Sequence, residues 1–403
     1  MKILVISDRY PPFYTGGYEL GCHDAVEALR ERGHEVHVLT STFGVGAPAD
    51  NGHVSRWLEA SFDKRRMGLL ELLRKETINK RAFRYMINTF RPDVVYIWKL
   101  NRISVSLAFL AQDFDLPVAY YVFDRWITNW RTDPWYDVWN RRAKRKPVHV
   151  IKQMLRPVLS ATSLVWTNTL DFSHAQLCSH YIKNYALETG TPVEQAEVIH
   201  WGVDPERFPY QNGHYQPHRL LFVGRLVPHK GVHTTINALK LLVQQPRYAH
   251  LHLTIVGDSD YSEYLANIRF AIRQANLSDH VTFVKFTDRN DLPAIYRAHD
   301  ILLFPSVWEE PFGITVLEAM SSGLAVIGTG TGGGSEILEH DVNGLVYPKE
   351  DAAACAGCIA RLVDDPDTYE RLRQNGRASV EHHFDLDAVI DKIEQALHKA
   401  VAQ

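Results

Sequence analysis

Residues 301–320 read ILLFPSVWEEPFGITVLEAM, and this stretch decides how the chain folds. Its opening apolar run ends at Pro305, which is typical of a buried strand leaving a parallel sheet. A loop that carries Glu310 follows. Residues 314–320 then predict a helix whose first turn begins at Gly313. Strand, loop and helix in this order form the repeating unit of an α/β domain.

Two carboxylates, Glu310 and Glu318, flank the N-terminus of this predicted helix. The backbone N–H groups of Gly313, Ile314 and Thr315 have no partner inside the helix, and the positive end of the helix dipole lies behind them. Such an arrangement suits a ligand with hydroxyl groups at two places and a phosphate between them. A nucleotide sugar is a ligand of this kind.

Predicted strands and helices alternate along the chain in two sets. In the first set, strands are predicted at residues 2–7, 35–40, 93–98, 118–122 and 163–168, and helices at 20–32 and 103–112. In the second set, strands are predicted at residues 219–223, 252–256, 281–285, 301–304 and 325–327, and helices after Gly231 and at 261–275, 291–298 and 314–320. This alternation predicts parallel sheets with crossover helices. We therefore expect an α/β protein with two Rossmann-like doubly wound domains that face a central cleft, where ligands bind.

Length and composition agree with a large two-domain enzyme, because 403 residues exceed the size at which single cores stop growing. Four cysteines fit a reducing cytosol better than a disulfide scaffold. No apolar run reaches the ~18 residues of a membrane span. A net charge of −3 without a nucleic-acid module argues against a nucleic-acid partner. We expect a cytoplasmic protein, and peripheral contact with the inner membrane face stays open.

The 301–320 stretch resembles the donor-sugar motif of the retaining family-four glycosyltransferases, which have the GT-B fold. That motif is a Glu, seven residues and a second Glu, matched here by Glu310 and Glu318. The resemblance implies that Glu310 contacts the donor sugar and that Glu318 binds the nucleotide ribose. It also implies that the amides of Gly313, Ile314 and Thr315 serve sugar hydroxyls and phosphate.

Further segments of the second half match the same family. Arg225 and Lys230 stand where the family has the two cations that grip the donor diphosphate. Two fixed cations stabilise the charge of the departing nucleoside diphosphate without a metal ion. Gly257 matches the family's glycine turn. Phe286 lies in the segment where the family holds the base, although Lys285 replaces the usual glycine there.

The first half contributes a long loop after its first strand, residues 8–19, DRYPPFYTGGYE. It resembles the family's Gly-Gly loop, which implies that the amides of Gly16 and Gly17 approach the donor phosphate and the acceptor. One departure concerns Phe123, which stands where many members have a histidine that contacts the donor sugar. Either Asp124 and its neighbour Arg125 take over the role of that histidine, or the pocket suits a different sugar.

The resemblance implies a retaining, metal-independent transferase that moves a sugar from a UDP- or GDP-linked donor to an acceptor hydroxyl. The acceptor is a glycan, a lipid or a small molecule, as in polysaccharide biosynthesis. We assign catalytic roles to Arg225, Lys230, Glu310 and Asp124, and we expect no metal and no cofactor. We expect residues 1–204 to form the acceptor-side domain, 205–384 the nucleotide-sugar domain, and 385–403 a helix that returns to the first domain.

Two alternatives remain open. Residues 328–333, GTGTGG, satisfy GxGxxG after a strand, and Glu350 lies about twenty residues on, as in a dinucleotide-dependent oxidoreductase. That fingerprint belongs in the first βα unit of a cofactor domain, whereas here it closes the last unit. In the glycosyltransferase family, the glycines at this place support the donor loop. The second alternative is a catalytically impaired partner subunit, supported by Phe123.

A basic stretch, residues 141–146 with sequence RRAKRK, follows four tryptophans. Cations beside Trp side chains predict contact with an anionic membrane, with the Trp rings in the interface. The competing interpretation is a solvated helix face. We expect the whole stretch, residues 126–156, to serve the acceptor side, and the cations at 141–146 to meet phosphates if the acceptor is lipid-linked or anionic. The tryptophans are Trp126, Trp130, Trp135 and Trp139.

Overall fold

The computed structural model describes all residues except 62–66, 142–145, 167, 212–216, 260, 286–288 and 403, and it leaves out the side chains of 146–148. The chain divides into two compact units. The first contains Met1–Ile199 and Ile390–Gln403, and the second contains His200–Val389.

The first unit is built on an eight-stranded sheet of described residues, in the order β3-β4-β2-β1-β5-β6-β7-β8. All neighbours are parallel except β3 and β4. The strand order reverses between β1 and β5, so the switch point where α/β sheets bind ligands lies at the carboxyl ends of these two strands. The strands are β1 (Lys2–Ser7), β2 (Glu35–Ser41), β3 (Ala49–Asn51), β4 (Val54–Leu58), β5 (Val94–Lys99), β6 (Val118–Val122), β7 (Ala175–Leu177) and β8 (Glu197–Val198).

The helices of the first unit connect these parallel strands and cover the sheet. They are α1 (Gly17–Glu31), α2 (Leu69–Phe90), α3 (Ser106–Asp113), α4 (Pro134–Asn140), α5 (Lys146–Ala161) and α6 (His180–Glu188).

The second unit contains a six-stranded, all-parallel sheet of described residues, in the order β11-β10-β9-β12-β13-β14. Its core residues Leu220, Ile255 and Ile327 come from three different strands and are fully buried. The strands are β9 (Arg219–Val223), β10 (His252–Val256), β11 (Val281–Val284), β12 (Ile301–Phe304), β13 (Ala325–Gly328) and β14 (Leu345–Val346).

Helices alternate with the strands of the second unit, and its switch point lies between β9 and β12. The helices are α7 (Val232–Val243), α8 (Ser262–Gln274), α9 (Leu292–Arg297), α10 (Ile314–Ser321), α11 (Ala352–Asp364) and α12 (Pro366–His383), followed by α13 (Leu386–Ala402). From Ile390 onward, α13 belongs to the first unit. There, Glu394 accepts from Arg32 at 3.1 Å and contacts the His34 imidazole at 2.8 Å.

The strand predicted at residues 163–168 is wrong for the described residues of that range, and β7 takes its place in the sheet. The reason lies in the side chains. The Leu164 carbonyl accepts from Trp135 Nε1 at 2.8 Å and from Lys80 Nζ at 3.3 Å instead of from a neighbouring strand. Trp166 stacks on Phe109, with ring centroids 5.4 Å apart.

The tryptophans after β6 are interior residues. Trp126, Trp130 and Trp135 are buried, and Trp126 Nε1 donates to the Tyr18 hydroxyl at 3.2 Å. The prediction that these three rings enter a membrane interface is therefore wrong. None of the described helices combines the length and the apolarity that crossing a bilayer requires.

Candidate functional site

The loop after β12 fixes the first carboxylate of the motif. Glu310 is 4% exposed, and its Oε1 accepts from Lys230 Nζ at 2.7 Å and from the Ser306 hydroxyl. A buried carboxylate is stable when it is paired and hydrogen-bonded. The pair holds the Glu310 side chain in one orientation at the carboxyl end of the sheet.

Lys230 reaches Glu310 because the chain around Gly231 approaches β12 closely. Gly231 has φ +70°, and a Cβ there would lie 1.9 Å from the Pro305 carbonyl oxygen, so only glycine fits. Lys230 ends a short 3₁₀ turn directly before α7. Its Nζ lies 6.0 Å from the centroid of the Trp308 ring.

Arg225 follows β9 at the same edge of the sheet and is exposed. Within the described part of the chain, its guanidinium has no hydrogen-bond or ion-pair partner. The pKa of His229 is lowered from its ordinary value by burial and then by the charges of Lys230 and Arg225. The charges of both cations therefore reach His229, after β9.

The start of α10 carries the donors that the sequence predicted. Gly313 is the N-cap with φ +144°, and no side chain caps the helix. Among the described residues, the N–H groups of Gly313, Ile314 and Thr315 donate no hydrogen bond. They are therefore available to an anionic or hydroxyl-bearing ligand.

Glu318 lies in the second turn of α10 and is 5% exposed. Its Oε2 accepts from the Tyr296 hydroxyl at 2.7 Å. Burial, reinforced by the Glu318 charge, raises the pKa of Tyr296 well above its usual range, so this phenol stays a donor. The sequence analysis missed Tyr296, whose position in α9 gives no local signal.

The glycine-rich segment after β13 supports the Glu310 loop. Gly332 has φ +56°, and a Cβ there would lie 2.3 Å from the Glu310 carbonyl oxygen. The Gly333 N–H donates to that carbonyl at 2.7 Å, and the Thr331 hydroxyl donates to the Trp308 carbonyl at 2.8 Å. A 3₁₀ turn, Gly332–Glu336, follows instead of the long helix of a dinucleotide fold. The segment therefore does not form the dinucleotide-binding turn on which the oxidoreductase alternative rests.

Gly257 and Phe286 differ in what the structure shows. Gly257 has φ +148°, and a Cβ there would lie 1.9 Å from the Gly224 carbonyl oxygen, so the turn needs glycine. Its N–H donates to the Val284 carbonyl at 3.1 Å. Phe286 lies outside the described residues, and its role in holding a base stays a prediction.

In the first unit, Asp124 belongs to a charged cluster at the carboxyl ends of β1, β5 and β6. Lys99 Nζ lies 2.9 Å from Glu19 Oε1 and 3.9 Å from Asp124 Oδ2. Asp124 also accepts from the Trp126 N–H at 2.8 Å and from Asn101 Nδ2 at 3.2 Å. The cluster therefore anchors Asp124 through one cation and two neutral donors.

The titration of this cluster is shifted by burial. Burial raises the pKa of Asp8 to about 6, and it raises the pKa of Asp124 in the same direction. Burial opposes the charge of Lys99, but the carboxylates around it outweigh this effect and raise its pKa. Asp8, Glu19 and Lys99 were not predicted as site residues. Asp8 and Lys99 lie at strand ends beside the switch point, which is the signal that marks them, and Glu19 lies in the first turn of α1.

The Gly16-Gly17 loop is already engaged by the protein. The Gly16 N–H donates to Glu19 Oε2 at 3.0 Å, so in this structure Glu19 takes the amide expected to meet a phosphate. Gly17 is the first residue of α1. Phe123 is buried, and its ring centroid lies 5.6 Å from that of Tyr18. An apolar contact thus stands where many family members have an imidazole.

Comparison with known proteins agrees with this geometry. Residues 15–207 match the family model described as Glycosyltransferase Family 4, and residues 206–379 match Glycosyl transferases group 1. The chain is 24% identical over 405 residues to an uncharacterised glycosyltransferase of Methanocaldococcus jannaschii, covering 96% of each.

Two solved structures have the same fold. Sucrose-phosphate synthase from Thermosynechococcus elongatus superposes with a TM-score of 0.74 at 21% identity, covering 100% of this chain and 99% of that one. Anabaena HepE in complex with UDP and glucose gives a TM-score of 0.71 at 20% identity, covering 99% and 100%. The chain belongs to the family-four, group 1 glycosyltransferases with the GT-B fold, which use nucleotide sugars.

Proposed function

We propose that this glycosyltransferase acts with retention of configuration and without a metal ion, on a donor held by Arg225, Lys230, Glu310 and Glu318. The observation that carries the proposal is the contact between Lys230 and Glu310 beside the exposed Arg225. Two cations and two carboxylates at the carboxyl edge of one sheet match the charges and hydroxyls of a nucleoside-diphosphate sugar. Arg225 and Lys230 supply the positive charge that a metal ion supplies in other transferases.

The state of Glu310 argues against a covalent mechanism. Its carboxylate is paired with Lys230 and accepts from Ser306, which lowers its reactivity as a nucleophile. We assign Glu310 to orienting the sugar hydroxyls. The acceptor oxygen then forms its bond to the anomeric carbon on the face from which the diphosphate leaves. The acceptor proton passes to an oxygen of the departing phosphate.

The donor assignment extends to the nucleotide. We propose that Glu318 accepts from the ribose hydroxyls and that the amides at the start of α10 bind the sugar and phosphate. Anabaena HepE was solved with UDP and glucose, so UDP-glucose is the first donor to test and GDP-sugars are the comparison. Gly257 shapes the turn beside the diphosphate, and the segment with Phe286 would hold the base.

For the acceptor, we propose that Asp124 binds and orients the incoming hydroxyl, with Lys99 beside its carboxylate. Gly16 and Gly17 would line the route of the acceptor once the bond to Glu19 opens. The acceptor class is a glycan, a glycolipid or a small molecule. We also propose peripheral contact with an anionic membrane, which would bring the first unit to a lipid-linked acceptor.

The test is a panel of UDP- and GDP-sugars, each with EDTA or with Mg²⁺, followed by proton NMR of the products. The proposal expects turnover of at least one donor, with EDTA leaving the rate unchanged. An α-linked donor should give an α-configured product. A β-configured first product, or a rate that EDTA abolishes and Mg²⁺ restores, would contradict it.

A further inference from the structure

Among the described residues, α5 carries more exposed large apolar side chains than any other helix. Five of its side chains are at least 47% exposed, and Met154 reaches 72%. They recur at the spacing of one helical face and extend over about 12 Å. The five are Val150, Ile151, Met154, Leu155 and Val158.

The contrast with α13 shows that this exposure is unusual for the protein. Ile390, Ile393 and Leu397 repeat on α13 at similar spacing, and all three are fully buried. On α5, no described side chain is buried. An amphipathic helix of a globular protein normally turns its apolar face to the core, so α5 is built to meet a surface outside the chain.

The polar side of α5 is the side attached to the protein. Arg156 Nη2 donates to Asn140 Oδ1 at 2.6 Å, and Lys152 Nζ donates to the Arg141 carbonyl at 2.8 Å. These bonds tie the helix to the end of α4. The apolar residues lie about half a turn away from Lys152 and Arg156, so they point outward.

The charge of the surrounding sequence indicates which kind of surface the apolar face of α5 contacts. Residues 138–170 contain seven Lys or Arg and no Asp or Glu. Arg141, at the start of this segment, is exposed. An apolar face combined with a wholly basic segment is the pattern of an interfacial helix on anionic lipid, whereas contact between protein copies would place like charges together.

We propose that α5 docks the protein on an anionic bilayer by inserting Val150, Ile151, Met154, Leu155 and Val158 between the lipids. The inference rests on the membrane contact of the proposed function. It assigns that contact to α5 and not to the buried tryptophans. It does not depend on the nucleotide-sugar chemistry. The net positive charge of the segment attracts the helix to the anionic surface, which makes the binding reversible and dependent on salt.

The test is cosedimentation of the full chain with vesicles of phosphatidylcholine alone or mixed with phosphatidylglycerol, at low and high salt. We expect binding to the anionic vesicles at low salt and release at high salt. The double variant Met154→Asp/Val158→Asp should bind at least about tenfold more weakly. Leu241→Asp/Phe270→Asp, which alters exposed apolar residues of the second unit, is the matched control and should bind normally.

Three outcomes would overturn the proposal. The first is indifference to both vesicle types, and the second is normal binding by Met154→Asp/Val158→Asp. The third is self-association, seen by sedimentation velocity without lipid, which that variant abolishes, because the occupant is then a second copy of the chain. Turnover of a water-soluble donor by the same variant should stay unchanged. This readout separates failure of the docking helix from failure of the proposed enzyme activity.

Discussion

Lys230 Nζ lies 2.7 Å from Glu310 Oε1, although the two residues are 80 positions apart in the sequence. The contact depends on glycine at two places, since Gly231 lets the Lys230 turn approach β12 and Gly332 supports the Glu310 backbone. A diphosphate that enters this region meets a lysine already held in position. Little side-chain entropy is then lost when the ligand binds.

Glu318→Gln should weaken nucleotide binding while the fold survives. The amide oxygen still accepts from the Tyr296 hydroxyl, but the charge-assisted bond that we propose to the ribose would be lost, which is worth about 1.5–3 kcal/mol. We expect the Kd for the free nucleoside diphosphate to rise by roughly 10- to 150-fold. Tyr296→Phe is the control, because it removes the hydroxyl that donates to Glu318 but keeps the Glu318 carboxylate. Equal affinity of wild type and Glu318→Gln, measured by calorimetry, would refute the ribose role.

Gly332→Ala should displace the Glu310 loop. The new Cβ would lie 2.3 Å from the Glu310 carbonyl oxygen, and the residue has φ +56°. A residue other than glycine that is held at positive φ costs the protein about 1–3 kcal/mol of stability. We expect a lower Tm and loss of donor turnover.

Gly357→Ala is the matched control for this substitution. Gly357 lies inside α11, and a Cβ there would meet nothing within 4 Å. The change should raise stability by roughly 0.5–1 kcal/mol, because alanine favours the helix. If Gly332→Ala keeps wild-type turnover, the support given to the Glu310 loop is not needed for function.

The elements that sequence analysis predicted best are those whose residues are buried on both faces. The predicted bounds of β1, β6, β9, β10 and β12 agree with the structure. All of these except β10, which Thr254 interrupts, contain an unbroken apolar run. The strand–loop–helix unit from β12 to α10 is likewise confirmed. These patterns were sufficient to predict two parallel-sheet α/β domains.

Elements without such a run were missed. Strand β7 has three residues and contains the buried Gln176, so no apolar pattern marks it. Instead, the apolar residues Val165 and Trp166 suggested a strand. In the structure, the neighbouring Leu164 carbonyl accepts from side chains and not from a strand. The exposed apolar face of α5 was missed because the prediction centred on the neighbouring tryptophans, whose burial depends on tertiary contacts.

The same limit applies to the site. The residues of the motif could be named from the sequence, but their partners could not. Ser306, Tyr296 and Lys99 contact the motif residues only after the chain has folded. The Gly16 amide was expected to be free, and a contact from Glu19 occupies it. Glu19 lies three residues after Gly16, as in the capping box at a helix start, which was a signal available in the sequence.

Asp8→Asn should remove a pH dependence of stability. Burial raises the pKa of Asp8 from 3.8 to about 6 in the folded protein. Between these values, the unfolded chain releases the proton and the folded protein keeps it, so stability falls as pH rises. The full shift corresponds to on the order of 3 kcal/mol.

The measurement compares Tm for wild type and Asp8→Asn from pH 4 to pH 8. The Tm of the wild type minus that of the variant should fall from pH 4 to about pH 6 and stay constant above it. Asp115→Asn, at an exposed position of the same unit, controls for the loss of one carboxylate. A Tm difference that does not change with pH would show that folding leaves the pKa of Asp8 unshifted.

The most direct test of the central claim is the rate of donor hydrolysis by wild type, Arg225→Ala and Lys230→Ala, measured with the best sugar of the donor panel in EDTA. In the proposed mechanism each substitution removes a cation from the leaving diphosphate, so it should lower the rate by ~10²–10³-fold while the fold survives. Lys240→Ala, at an exposed lysine in the last turn of α7, should behave as wild type. Wild-type rates in both Arg225→Ala and Lys230→Ala would contradict the account.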